Sequence, residues 1–222
     1  DVLAEAKIPT VGWLMDDPFH GDGALAQICA AFSHIYAVDG SWTDIIHLST
    51  GKPTQMLACG ADFTSTHPVL LPDVPKKFHT DIAFVGTSYH RQAPGLMRKV
   101  LLESVADQDL AIWGDESWRD VSTRIAPKYR GGPLGSAETN LAYNGAKIAA
   151  NIHHPQFRAG TSLRTFAIAA AGAFQLIDWR PRLDEFYEPG VEIATYRSPE
   201  EFREMALRYL RDALPASITD SA

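Results

Sequence analysis

Cysteine, positive charge and long apolar runs are all scarce in this chain. Cys29 and Cys59 stand alone, without C-x-x-C spacing or companions. That excludes a disulfide framework and argues against a thiolate metal cluster; the pair reads as two buried free thiols of a cytoplasmic protein in preference to a disulfide. Acidic residues outnumber basic ones for a formal net charge of −7. Without a basic surface to offset phosphate repulsion, nucleic acid is not an expected partner. No apolar run approaches the ~20 residues that span a bilayer, so no transmembrane segment is expected. The opening DVLAEAKIPT is neither basic nor apolar enough to read as a secretory leader.

What remains is ordinary globular material, 45% hydrophobic and 21% charged over 222 residues, enough for one large domain or two small ones. Its organisation is alternation. Strands are expected at 8–15, 35–38 and 54–60, with helices at 23–32 and at 41–49, the latter capped by Ser41. The stretch from Thr64 to Thr80, with three prolines and no period, reads as a linker. Alternation then resumes with strands at 81–86 and 109–114 around a helix at 93–106, whose apolar side is read as Leu96, Val100, Leu101 and Val105. Residues 115–142 read as looser helix and loop, with a flexible turn at 131–135. A strand is expected at 146–153, a helix at 162–172 stopped by Gly172, and strands at 173–178 and 191–196. Ser198-Pro199-Glu200-Glu201 is a helix start, with Ser as cap and Glu201 closing a capping box; Phe202, Met205, Ala206, Tyr209, Leu210 and Ala213 follow as the buried stripe. Repeated βα units imply parallel sheets. The expected fold class is therefore α/β with two Rossmann-like lobes, the first partial, divided as residues 1–66 and 67–222.

The most informative stretch runs from Tyr143 to Tyr196, as strand, glycine-bearing loop, alanine-rich helix and second strand. Loop amides and a helix start together suit an anion. Arg164 sits at the start of that helix, where its charge opposes the helix dipole, so an anionic partner explains it better than helix stability does. Thr161 and Ser162 suit either a helix cap or a phosphate donor. Lys147 reads equally as a nucleotide contact and as a solvated edge lysine. His153 and His154 are adjacent, so on a strand they point to opposite faces and do not easily share a metal ion. Trp113, Gly114 and Trp118 are candidates for a base-stacking wall, with Trp113 better read as core and Gly114 as pocket. Asp16-Asp17 reads either as an Asx turn before Pro18 or as a general base at a cleft. Glu188, Gly190 and Glu192 shape a turn.

Several blocks resemble the CgeB-like glycosyltransferases, a branch of the two-lobed GT-B fold: DIAFVGTSYHRQ (81–92), LAIWGDESW (110–118), YNGAKIAANIHH (143–154), GTSLRTFAIAAAGAFQLID (160–178) and EFYEPGVEIATYRSPEEFREMALRYL (185–210). The run from 160 to 210 is the specific part. IPTVGWLMDDP (8–18) resembles the end of that family's N-terminal lobe. The resemblance implies sugar transfer from a nucleotide-sugar donor, held mainly by the second lobe, to a hydroxyl of a protein, glycan or surface-polymer acceptor, with no metal or other cofactor required. It implies donor contacts from Gly86, Thr87, Ser88, Gly114, Lys147, His153 and the run Gly160, Thr161, Ser162, Leu163 and Arg164, with Asp16 or Asp17 as base.

One position departs from the family pattern. Where the family carries Glu on the short helix, in the place that resembles the ribose-binding carboxylate, this chain has Ala167. A missing charged acceptor costs about 1.5–3 kcal/mol, roughly one to two decades of affinity. A non-catalytic binding module of the same fold is therefore the rival reading, and a different α/β enzyme such as a nucleotide-sugar epimerase the next.

Overall fold

The computed structural model describes residues 8–18, 28–29 and 31–212. The chain divides into two compact units. The first comprises residues up to Cys59 together with His153–Leu163 and Arg180–Glu185, and the second comprises the rest.

The first unit is built on a parallel sheet of three strands, β1 (Val11–Leu14), β2 (His34–Ala37) and β3 (Thr54–Met56), in the order β1-β2-β3. Alternation places Leu14, Ile35 and Ala37 inward, while Val11 and Trp13 of β1, and Met15 just beyond it, stay exposed. Helix α1 (Gly40–Thr50) buries Trp42 and Ile46, and Trp42 packs against Phe157. Its cap is Asp39, not Ser41: the Asp39 carboxylate accepts the Ser41 amide at 2.8 Å. The expected helix over 23–32 lies outside the described residues except for Ile28, Cys29, Ala31 and Phe32, of which Ile28 and Cys29 are helical.

The second unit is a parallel sheet of six strands in the order β6-β5-β4-β7-β8-β9: β4 (Thr80–Val85), β5 (Leu110–Trp113), β6 (Tyr129–Gly131), β7 (Ala146–Asn151), β8 (Gln175–Asp178) and β9 (Ala194–Tyr196). One face packs α2 (Ala93–Ser104), α3 (Trp118–Val121) and α6 (Pro199–Arg211) through Ile82, Phe84, Leu101, Leu102, Trp118, Ile148, Phe202 and Ala206. The other face packs α4 (Ser136–Asn144) and α5 (Leu163–Ala170), with Ala83, Ala111 and Trp113 in one cluster and Tyr143, Ala149, Ile168 and Ala171 in another. Both faces are covered, as parallel sheets require. The sheet reverses direction of growth between β4 and β7, the switch point where α/β folds open a crevice at the strand carboxyl ends.

Several expectations are corrected. The buried side of α2 is Gly95, Arg98, Leu101 and Leu102, whereas Leu96 and Val100 are exposed. Leu101 and Val105 of the expected side are buried, but nearer the helix start the buried positions are Gly95 and Arg98, a glycine and an arginine that an apolar count passes over. The region 115–142 holds α3, β6 and most of α4. The strand expected over 146–153 ends at Asn151, so His153 and His154 lie in the loop after it, and the strand expected over 191–196 begins only at Ala194. The proline-rich stretch is pinned: the His67 and Val69 amides donate to Asn140 and Asn144 of α4. Ser198 caps α6 by accepting the Glu201 amide, but Glu201 accepts from the Arg197 amide instead of closing back on Ser198. Gly172 follows α5 with φ 65°, the left-handed value expected of it.

Candidate functional site

The second unit brings its chemistry together where β4, β5 and β7 end. The chain leaving β4 is Gly86-Thr87-Ser88, fixed at every residue. Gly86 N donates to Trp113 O, and Gly86 O accepts from Trp118 Nε1 at 2.8 Å. Thr87 O accepts from the Arg98 guanidinium. The Ser88 amide and hydroxyl both donate to Asp115, the hydroxyl at 2.8 Å. Burial works against the charged Asp115 carboxylate, yet the Ser88 amide and hydroxyl outweigh it and hold its pKa below the ordinary value. The expected row of loop amides turned toward a phosphate is thus corrected: the amides of Gly86 and Ser88 are already bonded within the unit. Gly114 answers a close approach, since a Cβ there would stand 2.1 Å from Gly86 O. Trp118 is fully buried and cannot stack on a base, and Trp113 is core against Phe78.

Positive charge stands at this edge instead. Arg98, 4% exposed, and Arg164 both lie over the Phe84 ring, each 5.5 Å from its centroid. Burial, then the neighbouring Arg164 charge, pushes the Arg98 pKa down to about 10, with Tyr89, Asp178 and Asp115 opposing the shift. Arg164 donates to Ile152 O at 3.3 Å and to the Tyr143 hydroxyl, whose own pKa is raised by burial against the pull of Arg164. A Cβ on Gly86 would meet the Arg164 guanidinium at 2.9 Å, so glycine there makes room for the arginine. The first turn of α5 is set by Thr165, which accepts from Asn151 Nδ2 at 3.1 Å and, through its carbonyl, from Gln175 at 3.0 Å. Among the described residues neither Arg98 nor Arg164 forms an ion pair. Two mutually repelling guanidinium groups thus stand together at one sheet edge, where such forks suit a polyanion's geometry in general.

Other candidates fall elsewhere. Lys147 pairs with Asp81 at 2.7 Å and is exposed; the register of Thr80 with Ala146 puts both at the amino-terminal edge of the sheet, opposite Gly86. Ala167 packs among the apolar residues around Tyr143 and Ile168. In the first unit, Asp39 also accepts the Ala159 and Gly160 amides at 3.1 and 3.0 Å. Burial opposes its charge, but the bonds from Ser41, Gly160 and Ala159 lower its pKa. His153 is buried, with Nε2 2.9 Å from Thr161 Oγ1 and accepting the Ser162 amide at 3.2 Å. It therefore orders the 160–162 turn. Leu163 is exposed. Asp16 is exposed and accepts from Gln156 at 2.9 Å, whereas Asp17 is buried, 3.7 Å from the Arg158 guanidinium. Among the described residues no group of three or more His, Cys, Asp or Glu side chains converges on a cation site.

Arg98, Asp115, Tyr143 and Asp39 were not singled out from sequence. Arg98 carried a signal, a charged residue at the buried phase of a helix. The other three are recruited across strands and leave no local trace.

The parallel sheets and their order define an α/β fold similar to GT-B glycosyltransferases. The chain belongs to the glycosyl transferase-like family, which matches residues 91–219, more than half its length. No curated protein matches it. Among solved structures, Anabaena HepE in complex with UDP-glucose superposes with a TM-score of 0.70 at 14% identity, covering 99% of this chain and 67% of that one. Sucrose-phosphate synthase from Thermosynechococcus elongatus gives 0.64 at 14% identity, with 94% and 58% covered. A glycosyltransferase from Rickettsia africae gives 0.63 at 12%, with 95% and 63% covered. At these identities the likeness concerns the fold, and the chain spans only about three-fifths of the sucrose-phosphate synthase.

Proposed function

We propose that this chain is the donor-binding part of a CgeB-like glycosyltransferase that moves a sugar from a nucleoside diphosphate sugar to an acceptor hydroxyl on a protein, glycan or surface polymer. The observation that carries this reading is the pair Arg98 and Arg164, both without an acidic partner among the described residues, at the carboxyl end of β4. Charge that develops on a departing diphosphate is stabilised by fixed cations held in place beforehand. Thr87 supplies a further amide, and the guanidinium groups take the part a divalent cation plays elsewhere, so the reaction needs no metal. Solved neighbours of the same fold carry UDP or UDP-glucose, which supports a nucleotide-sugar donor. Asp16, the exposed member of its pair, is the proposed base. A nucleotide-sugar substrate and two free thiols fit a cytoplasmic setting.

Ala167 favours a second reading, a binding module with impaired turnover. Calorimetric titration with UDP and UDP-glucose, alongside donor turnover, separates the two. Arg164→Ala is expected to weaken donor binding by about ten- to a hundredfold, the worth of about 1.5–3 kcal/mol for a charged hydrogen bond; unchanged affinity refutes the site. If Ala167→Glu gains turnover that the chain lacks, the impaired reading holds for this sequence.

A further inference from the structure

A second basic feature lies on the α2–α3 face of the second unit. A cavity of about 360 Å³ is bounded by His90, Arg91, Ala93, Leu96, Lys99 and Val121, with no acidic residue in its wall. Among the described residues none of His90, Arg91 and Lys99 forms an ion pair. In a chain of net charge −7, three cationic or protonatable side chains gathered without a counter-charge are an exception that a bound anion resolves. The positive end of α2 adds to them: Gln92 gives no side-chain cap, and the first turn carries no acid. Leu96 is 65%, Met97 51% and Val100 40% exposed along the same helix, so apolar surface lies beside the charge.

This cavity is distinct from the arginine pair. Its walls come from α2, from Val121 of α3 and from residues 90–92 that lead into α2, whereas Arg164 lies in the first turn of α5, which packs on the opposite face of the sheet. Arg98, the α2 residue that joins Arg164, is buried and turned to Thr87 and Phe84.

We propose that the cavity is a second anion site, which takes a phosphate group attached to an apolar or small organic moiety. The phosphate meets Arg91, Lys99 and His90, and the remainder lies against Leu96 and Val121. A soluble phosphate ester and an anionic lipid headgroup share this chemistry. The site stands independently of the donor reading.

The test uses the full chain, with Arg91→Gln/Lys99→Gln as the cavity variant and Arg164→Ala as the variant of the other site. Both cavity positions are surface side chains without ion-pair partners among the described residues, so the fold is expected to survive. Titration with inorganic pyrophosphate is expected to show binding that persists in Arg164→Ala and weakens at least tenfold when the two cavity substitutions are added to Arg164→Ala. Should Arg164→Ala not fold, stoichiometry decides, with one pyrophosphate fewer per chain in the cavity variant than in the unaltered chain. In a parallel arm, the chain is sedimented with phosphatidylcholine vesicles with and without phosphatidylglycerol. Binding only to the anionic vesicles, lost in the cavity variant, assigns the site to a lipid headgroup; pyrophosphate binding without vesicle binding assigns it to a soluble ester. Pyrophosphate and vesicle binding both unaffected by the cavity variant, or absent altogether, overturn the proposal.

Discussion

Asp115 receives both the amide and the hydroxyl of Ser88 and so fixes the chain segment that faces Arg164. Its pKa is lowered in the fold, so its contribution is fully present above the ordinary carboxylate value of about 3.9 and is lost as pH falls through the lowered folded value. Asp115→Asn is expected to remove that acid-limb dependence and to slow donor capture. Denaturant melts from pH 6 down to pH 2, variant against parent, read the first effect; an unchanged acid limb refutes it. Arg164 was legible in sequence because a cation at a helix start has no local reason to be there. Arg98 was not singled out, because the phase chosen for α2 followed its apolar residues. Ser41 and Asp39 were both able to cap α1, and what selects Asp39 is a pair of amides more than a hundred residues away.

At the scale of elements, period and punctuation carried far. Eight of the nine strands among the described residues were expected in place from apolar runs ending in glycine or polar turns, because buried parallel strands must be apolar on both faces. The exception, β6, was hidden: three residues long and half-exposed, it shows no periodicity. Helix α6 was read from its start signal, and of its expected stripe Phe202, Ala206 and Tyr209 are buried, Met205 and Leu210 are half-buried against the same core, and Ala213 lies outside the described residues. Ser198→Ala is expected to destabilise the second unit by about 1 kcal/mol. Thermal unfolding measures this, and a shift of less than a degree would show that Glu201 and the Arg197 amide hold the helix start unaided.

For the whole molecule, sequence order misleads. Residues 153–163 and 180–185 belong to the first unit although they lie within the span of the second, and no compositional boundary marks either excursion. The scarcity of cysteine, by contrast, transferred directly: Cys29 and Cys59 are free and buried, and burial raises both thiol pKa values. A thiol-reactive dye at pH 7 is expected to label neither in the native chain and both in denaturant; rapid native labelling would contradict that burial. Strand β1 has a consequence for handling. Among the described residues it pairs on one side only, with β2, and it turns Val11 and Trp13 outward. An unpaired apolar edge is a template for neighbouring copies. Light scattering of the isolated chain should therefore rise with protein concentration, and a lysine in place of Val11 should suppress the rise.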